Sequence, residues 1–222
     1  MMNKDYILRM FEMFGRSLAI ILHLRQSNQH EDALIYIDNA LLQITGLTSS
    51  FINSASEEML LGMIAPLGTL NVEKCLWIAG LLKEEADIYD ELENSAESYQ
   101  RYVKSLFLFL ELPLGDHEIK DFDIPATIEY ILNKLAEYEL PLSTNRKLMR
   151  YFEKTGQYAK AEDVLFAMID AAPESVPAGV VEQGRAFYTR LLEHPDAQLQ
   201  AGNVSRDQVE EGLLQLKAIR AQ

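Results

Sequence analysis

Glu84, Asp87, Asp90 and Glu91 recur at steps of three and four residues, so on a helix they share one side. Paired carboxylates at that spacing can do general acid and base work if one of them is desolvated enough to hold its proton. The same spacing describes an ordinary solvated acidic face, and that is the reading expected for this set. A second charged set has the opposite sign. Arg146, Lys147, Arg150 and Lys154 lie close together, and Arg146, Arg150 and Lys154 are spaced by four, forming one basic stripe. A solvated face with Glu153 alongside is its plainer reading. The two sets could meet, within a chain or across a homodimer.

Other chemistry leaves little trace. The four histidines, His23, His30, His117 and His194, are scattered, and none has a second His or Cys at metal-ligand spacing, so no metal is expected. Hydrolase elbows, phosphate-binding loops and dinucleotide fingerprints are absent, so no cofactor is expected and the chain does not read as an enzyme. Asp116-His117-Glu118 and Asp121-Phe122-Asp123 are the dense polar clusters, and they fall in a stretch of loop character. Cys75, the single cysteine, lies in the apolar run Cys75-Leu76-Trp77-Ile78-Ala79 and reads as a small buried hydrophobe. Trp77, Tyr89, Tyr99 and Tyr102 read as packing residues rather than a ligand cage.

The chain has 222 residues, enough to bury roughly 70% of its unfolded surface without disulfides or metals. Acids outnumber bases 34 to 20, a net charge of −14, which repels phosphate backbones and argues against nucleic acid as a partner. The charges at Asp5, Arg9, Glu12 and Arg16 interrupt the first segment, so no signal peptide is expected. No run approaches the 18 or so apolar residues of a membrane span. A cytoplasmic protein is expected.

Apolar residues recur at helical spacing almost throughout, with no sustained period-2 alternation. The expected fold is all-α, with about ten helices. They run at about 3–26, with a stripe on Ile7, Met10, Phe11, Phe14, Leu18 and Ile21, then at 31–44, 56–64, 72–92 and 96–111. Beyond a loop at 112–124 they run at 125–139, 143–155, 158–171, 177–193 and 205–221. Ser205 and Gln208 have capping-box spacing. A single domain over 1–222 is expected, with lobes 1–112 and 125–222 if the loop 113–124 parts it.

The segment Leu148-x-x-x-Phe152-x-x-x-Gly156-x-Tyr158-x-x-Ala161-x-x-x-Leu165-x-x-Met168, closing with Pro173, repeats in looser form. Leu24, Asn28, His30, Ala33, Ile37 and Ala40 form one copy; Tyr89, Glu93, Ser95, Ser98, Tyr102 and Ser105 form another. The pivots Ala33, Ser98 and Ala161 are 65 and 63 residues apart. In residue type and spacing the best copy resembles a tetratricopeptide repeat, although Asn145, Met149 and Met168 depart from the Trp, small residue and Ala usual there. The resemblance implies stacked antiparallel helical hairpins, an α-solenoid whose first helices line a concave surface for a protein or peptide. In that family basic grooves clamp acidic or carboxylate-ended peptides, which would give Arg146, Lys147, Arg150 and Lys154 a binding role. The whole chain, with its opening Asp5-Tyr6-Ile7-Leu8-Arg9-Met10 and its segment Thr155-Gly156-Gln157-Tyr158-Ala159-Lys160-Ala161-Glu162, also resembles an uncharacterised bacterial family. A non-catalytic interaction module is therefore the expected function. The alternatives are a small-molecule-binding or hydrolytic protein with a pocket near 112–124, and a structural homo-oligomer.

Overall fold

A computed structural model describes the backbone of residues 2–112, 122–171, 176–177 and 179–219, with all their side chains except those of 2–8, 11 and 67. The loop 113–121, which carries Asp116, His117, Glu118 and Asp121, lies outside the described residues, as do Pro173 and the side chains of Ile7 and Phe11. Among the described residues there are twelve α-helices and no strand.

The chain divides into two compact units, Met1–Glu139 and Leu140–Gln222. The first holds α1 (Met2–Gln26), α2 (His30–Thr45), α3 (Ser49–Ser54), α4 (Glu57–Ile64), α5 (Val72–Glu91), α6 (Ser95–Phe109) and α7 (Ile124–Lys134). The second holds α8 (Leu142–Lys154), α9 (Tyr158–Asp170), α10 (Val180–Leu192), α11 (Asp196–Ala201) and α12 (Arg206–Ala218). Helix starts follow from side-chain caps: Thr48, Ser56, Asn71, Asn94 and Asp123 each accept the amide of the third residue on. Ser205 and Gln208 close the expected capping box.

The two short helices α3 and α11 escaped the sequence reading, because six residues are too few to show a period. α3 is held from outside itself. The Lys104 ammonium, on α6, donates to the carbonyls of Ile52, Asn53 and Ala55 at 2.9, 2.7 and 2.8 Å, satisfying oxygens that the helix end leaves orphaned.

The three sequence copies share one turn. Asn28, Glu93 and Gly156 all have positive φ, at 60°, 57° and 72°. The amide that follows each bonds back to the carbonyl five residues earlier: Gln29 to Leu24, Asn94 to Tyr89, Gln157 to Phe152. This is the Schellman closure of a helix, and in copies one and two it holds non-glycine residues in a conformation that costs them strain. Past each turn the pivots Ala33, Ser98 and Ala161 are buried, as are Ile37, Tyr102 and Leu165. Ala161 has no exposed surface, so Ala161→Leu should overpack the α8–α9 hairpin by about 1 to 3 kcal/mol. Thermal denaturation that left the melting temperature unchanged would refute that packing.

Helix α5 is the axis of the first unit. From Cys75 to Ile88 every residue but Lys83 is buried, so this helix is covered on all sides. Cys75 is among them; its thiol donates to Leu108 O at 3.3 Å, and burial pushes its pKa up to about 12. Because α5 also carries Glu84, Glu85 and Asp87, three carboxylates are taken into the interior with it.

Candidate functional site in the first unit

The expected solvated acidic face is corrected by the structure. Glu84 and Asp87 are 9% and 4% exposed, whereas Asp90 and Glu91 reach solvent. A buried carboxylate survives only with partners, and Asp87 has four. Its Oδ2 takes Arg25 Nη1 and Lys83 Nζ, each at 3.0 Å; its Oδ1 accepts the hydroxyls of Tyr102 at 2.6 Å and Tyr130 at 3.0 Å. Arg25 also reaches Glu84 at 2.5 Å and Glu91 at 2.7 Å, and Lys83 bonds Glu84 at 2.9 Å. Asp90 pairs with Lys134 at 2.6 Å. The acidic set thus finds its cations on α1, α5 and α7 of its own unit. These pairs tie α1, α5 and α7 together.

Burial alone would lower the Lys83 pKa, but Glu84 and Asp87 outweigh it and raise it above the lysine value of 10.5. Burial raises Tyr102 and Tyr130 above 10.0, and the Asp87 charge adds to the shift at both. In all three groups the folded state holds the proton more tightly than the unfolded state. Their stabilisation is complete below pH 10 and is lost as pH rises beyond it. Chemical denaturation repeated from pH 8 to 11 should show stability flat at first and falling above pH 10. Tyr102→Phe should flatten that fall, and a fall that stays as steep would exclude Tyr102 as a source.

On the opposite flank of α5, Glu85 is 4% exposed and accepts the Ser49 hydroxyl at 2.6 and 2.7 Å and Asn53 Nδ2 at 3.5 Å. Arg101 Nε lies 3.1 Å from it. Arg101 Nη1 bonds Glu97 through both its carboxylate and its backbone carbonyl, and the guanidinium sits 4.2 Å over the Tyr89 ring. Asp38 accepts the Ser49 amide at 2.7 Å. These groups border a cleft of about 570 Å³ between α2, α3, α5 and α6, with Ile35, Ser50 and Gln100 on its exposed walls. Arg101 is 6% exposed and its Nη2 has no hydrogen-bond partner among the described residues.

Sequence reasoning missed Arg25, Lys83, Glu85 and Arg101. A signal was present for the acids: Lys83, Glu84, Glu85 and Asp87 follow directly on the uncharged run from Cys75 to Leu82 and alternate with Ala86 and Ile88. A helix apolar on every side cannot keep its acids in water.

The basic stripe lies on α8 in the second unit. Arg150 and Lys154 are exposed and Arg146 and Lys147 half-buried. The Arg146 guanidinium packs against Gly179, and its backbone carbonyl accepts Gln183 Nε2 at 3.2 Å. Glu153 is not a bystander to the stripe, since it takes Arg190 of α10 through two bonds of 2.6 and 2.9 Å. Among the aromatic residues, Trp77 is buried against Phe14, centroids 5.0 Å apart, and Tyr99 meets Tyr138 at 4.9 Å.

Among the described residues no group of three His, Cys, Asp or Glu side chains is arranged to hold a metal, and no helix is long and apolar enough to cross a membrane. Neither the curated proteins nor the solved structures contain a match to the chain. One family model matches it from residue 1 to 221, and the chain belongs to that family, the family of unknown function DUF6483.

Proposed function

We propose that the chain is a non-catalytic interaction module of tetratricopeptide-like hairpins, and that it takes a short peptide segment into the cleft between α2, α3, α5 and α6. The observation that carries this reading is Arg101. Its charge is already matched by Glu85 and Glu97, yet Nη2 still has donors to give. A third carboxylate would be repelled there, whereas a neutral carbonyl is the acceptor that fits, and a peptide backbone offers one per residue. Asp38, Glu85 and Glu97 against one arginine favour a neutral or basic segment over an acidic one. The shared Schellman turns and buried pivots support the hairpin reading. For this cleft a hydrolytic reading has less behind it, since Glu85 has two hydrogen-bonded oxygens and an arginine as its counterion; the hydrolytic alternative at 112–124 falls largely outside the described residues.

Selection from a displayed peptide library tests this. Selected peptides should lose at least about tenfold, or 1.4 kcal/mol, against Gln100→Trp and Ile35→Lys, which alter exposed cleft walls and should leave melting unchanged. Peptides that bind both variants as they bind the unmodified chain would remove the cleft from consideration. If they are acidic or carboxylate-ended and fail instead on Arg150→Glu with Lys154→Glu, the stripe on α8 is the docking surface. A homodimer formed through either surface would show as a doubled solution mass.

A further inference from the structure

A second cavity, of about 300 Å³, opens between α1 and α2 and ends on Trp77 of α5. Its body is apolar, built from Met13, Ile20, Ala40, Ile44 and the indole. Met13 and Ile20 are each 42% exposed, so apolar surface stays wet around a preformed hollow. The two hydroxyls in the wall answer one another, Tyr36 donating to Ser17 Oγ at 3.3 Å. The interior therefore asks for an apolar occupant. Among the described lining residues one is charged: Arg16.

We propose that this cavity is a binding site for a small amphipathic acid, an apolar body of roughly six to ten carbons with a carboxylate head that pairs with Arg16 at the mouth. The volume lies at the small end of ligand sites, which excludes bulky cofactors. Arg16 is available for exchange. Its partner Glu12 is one helical turn away at 3.6 Å, and both side chains are largely exposed, 77% and 66%, so their pairing is worth little. A cationic head would meet Arg16 as a like charge, and a neutral head would forgo the pairing. The chain's net charge of −14 opposes an anion at long range, but at physiological salt that field is screened beyond about 8 Å, and the nearby guanidinium decides. The unbranched Met13 side chain can adapt to chains of different length. This site is separate from the peptide cleft, although Asn39 borders both, so Asn39 is left unaltered in the test.

Trp77 is the single tryptophan, so its fluorescence reports the cavity directly. Octanoate, octanol and octyltrimethylammonium are titrated into the full chain, with fluorescence and calorimetry in parallel. Octanoate should give a saturable change in both signals and bind at least tenfold tighter than the ammonium compound. Arg16→Glu, at an exposed position, should weaken octanoate at least tenfold while moving octanol less than twofold. Ala40→Phe, which fills the cavity, should abolish the binding of all three. The proposal is overturned if octanoate shows no saturable binding at millimolar concentration, or if Arg16→Glu binds octanoate as the unmodified chain does. Should Ala40→Phe fail to fold, the Arg16→Glu comparison decides alone.

Discussion

Replacing Asp87 by alanine should cost the first unit about 3 to 5 kcal/mol, because it removes one member of a buried ion cluster and strands the rest. Asp87 is 4% exposed, so solvent does little to screen its interactions. The substitution leaves Lys83 with Glu84 alone, leaves Arg25 with Glu84 and Glu91, and takes the acceptor from the hydroxyls of Tyr102 and Tyr130. The expected fall in melting temperature is about 10 °C. Asp87→Asn should cost less, since an amide oxygen still accepts both tyrosines but no longer offsets the two cations. Burying ions is itself expensive, so whole-cluster replacement by apolar residues can be nearly neutral. Lys83→Met should therefore cost less in an Asp87→Leu background than on its own, with a coupling of about 0.5 to 3 kcal/mol. A loss below about 1 kcal/mol for Asp87→Ala would mean that the cluster is solvated in solution.

That cluster also marks how far the sequence could be read. Helices with long apolar stripes, such as α5 and α6, or with polar caps, such as Asn71 and Ser205, were legible to within a few residues, because period and cap are local facts. The turns at Asn28, Glu93 and Gly156 were legible for the same reason. The environment of Glu84 and Asp87 was not. Whether a carboxylate lies in water or in a core depends on which helices cover it, and Arg25 stands 59 and 62 positions away from these partners. Glu85 was harder still, because α3, which brings Ser49 and Asn53 to it, has no period of its own and is held by Lys104 from a distant helix. The cleft and the Trp77 cavity are long-range products of the same kind. Nothing local distinguishes an Arg101 or an Arg16 beside a hollow from one on a plain surface.

Gly202→Ala should be the most damaging single-atom addition in the second unit, and the reason is close approach rather than backbone conformation, since the Gly202 φ of −87° suits any residue. A Cβ there would stand 2.2 Å from Tyr158 Cδ2 and 2.7 Å from the carbonyl oxygen of Gly156. Neither neighbour can give way cheaply. The Tyr158 ring is stacked on His194, centroids 5.7 Å apart, and its hydroxyl accepts Gln198 Nε2 at 2.9 Å. The Gly156 carbonyl belongs to the α8–α9 turn, and the Gly202 carbonyl accepts the Ala159 amide at 3.0 Å, so the end of α11 caps the start of α9. Alanine gains about 0.4 to 1 kcal/mol by restricting the unfolded chain, but overpacking of this kind costs about 1 to 3 kcal/mol and should win here near its upper end. In a unit of this size a net loss of about 2 kcal/mol lowers melting by about 10 °C. Adding Tyr158→Ala should recover little, because the contact with the Gly156 oxygen remains. The matched control is Gly62, inside α4, where a Cβ meets nothing within 4 Å and alanine should stabilise by about 0.5 to 1 kcal/mol. If Gly202→Ala and Gly62→Ala melt alike, α11 does not press on the α8–α9 turn and its capping of α9 is wrong.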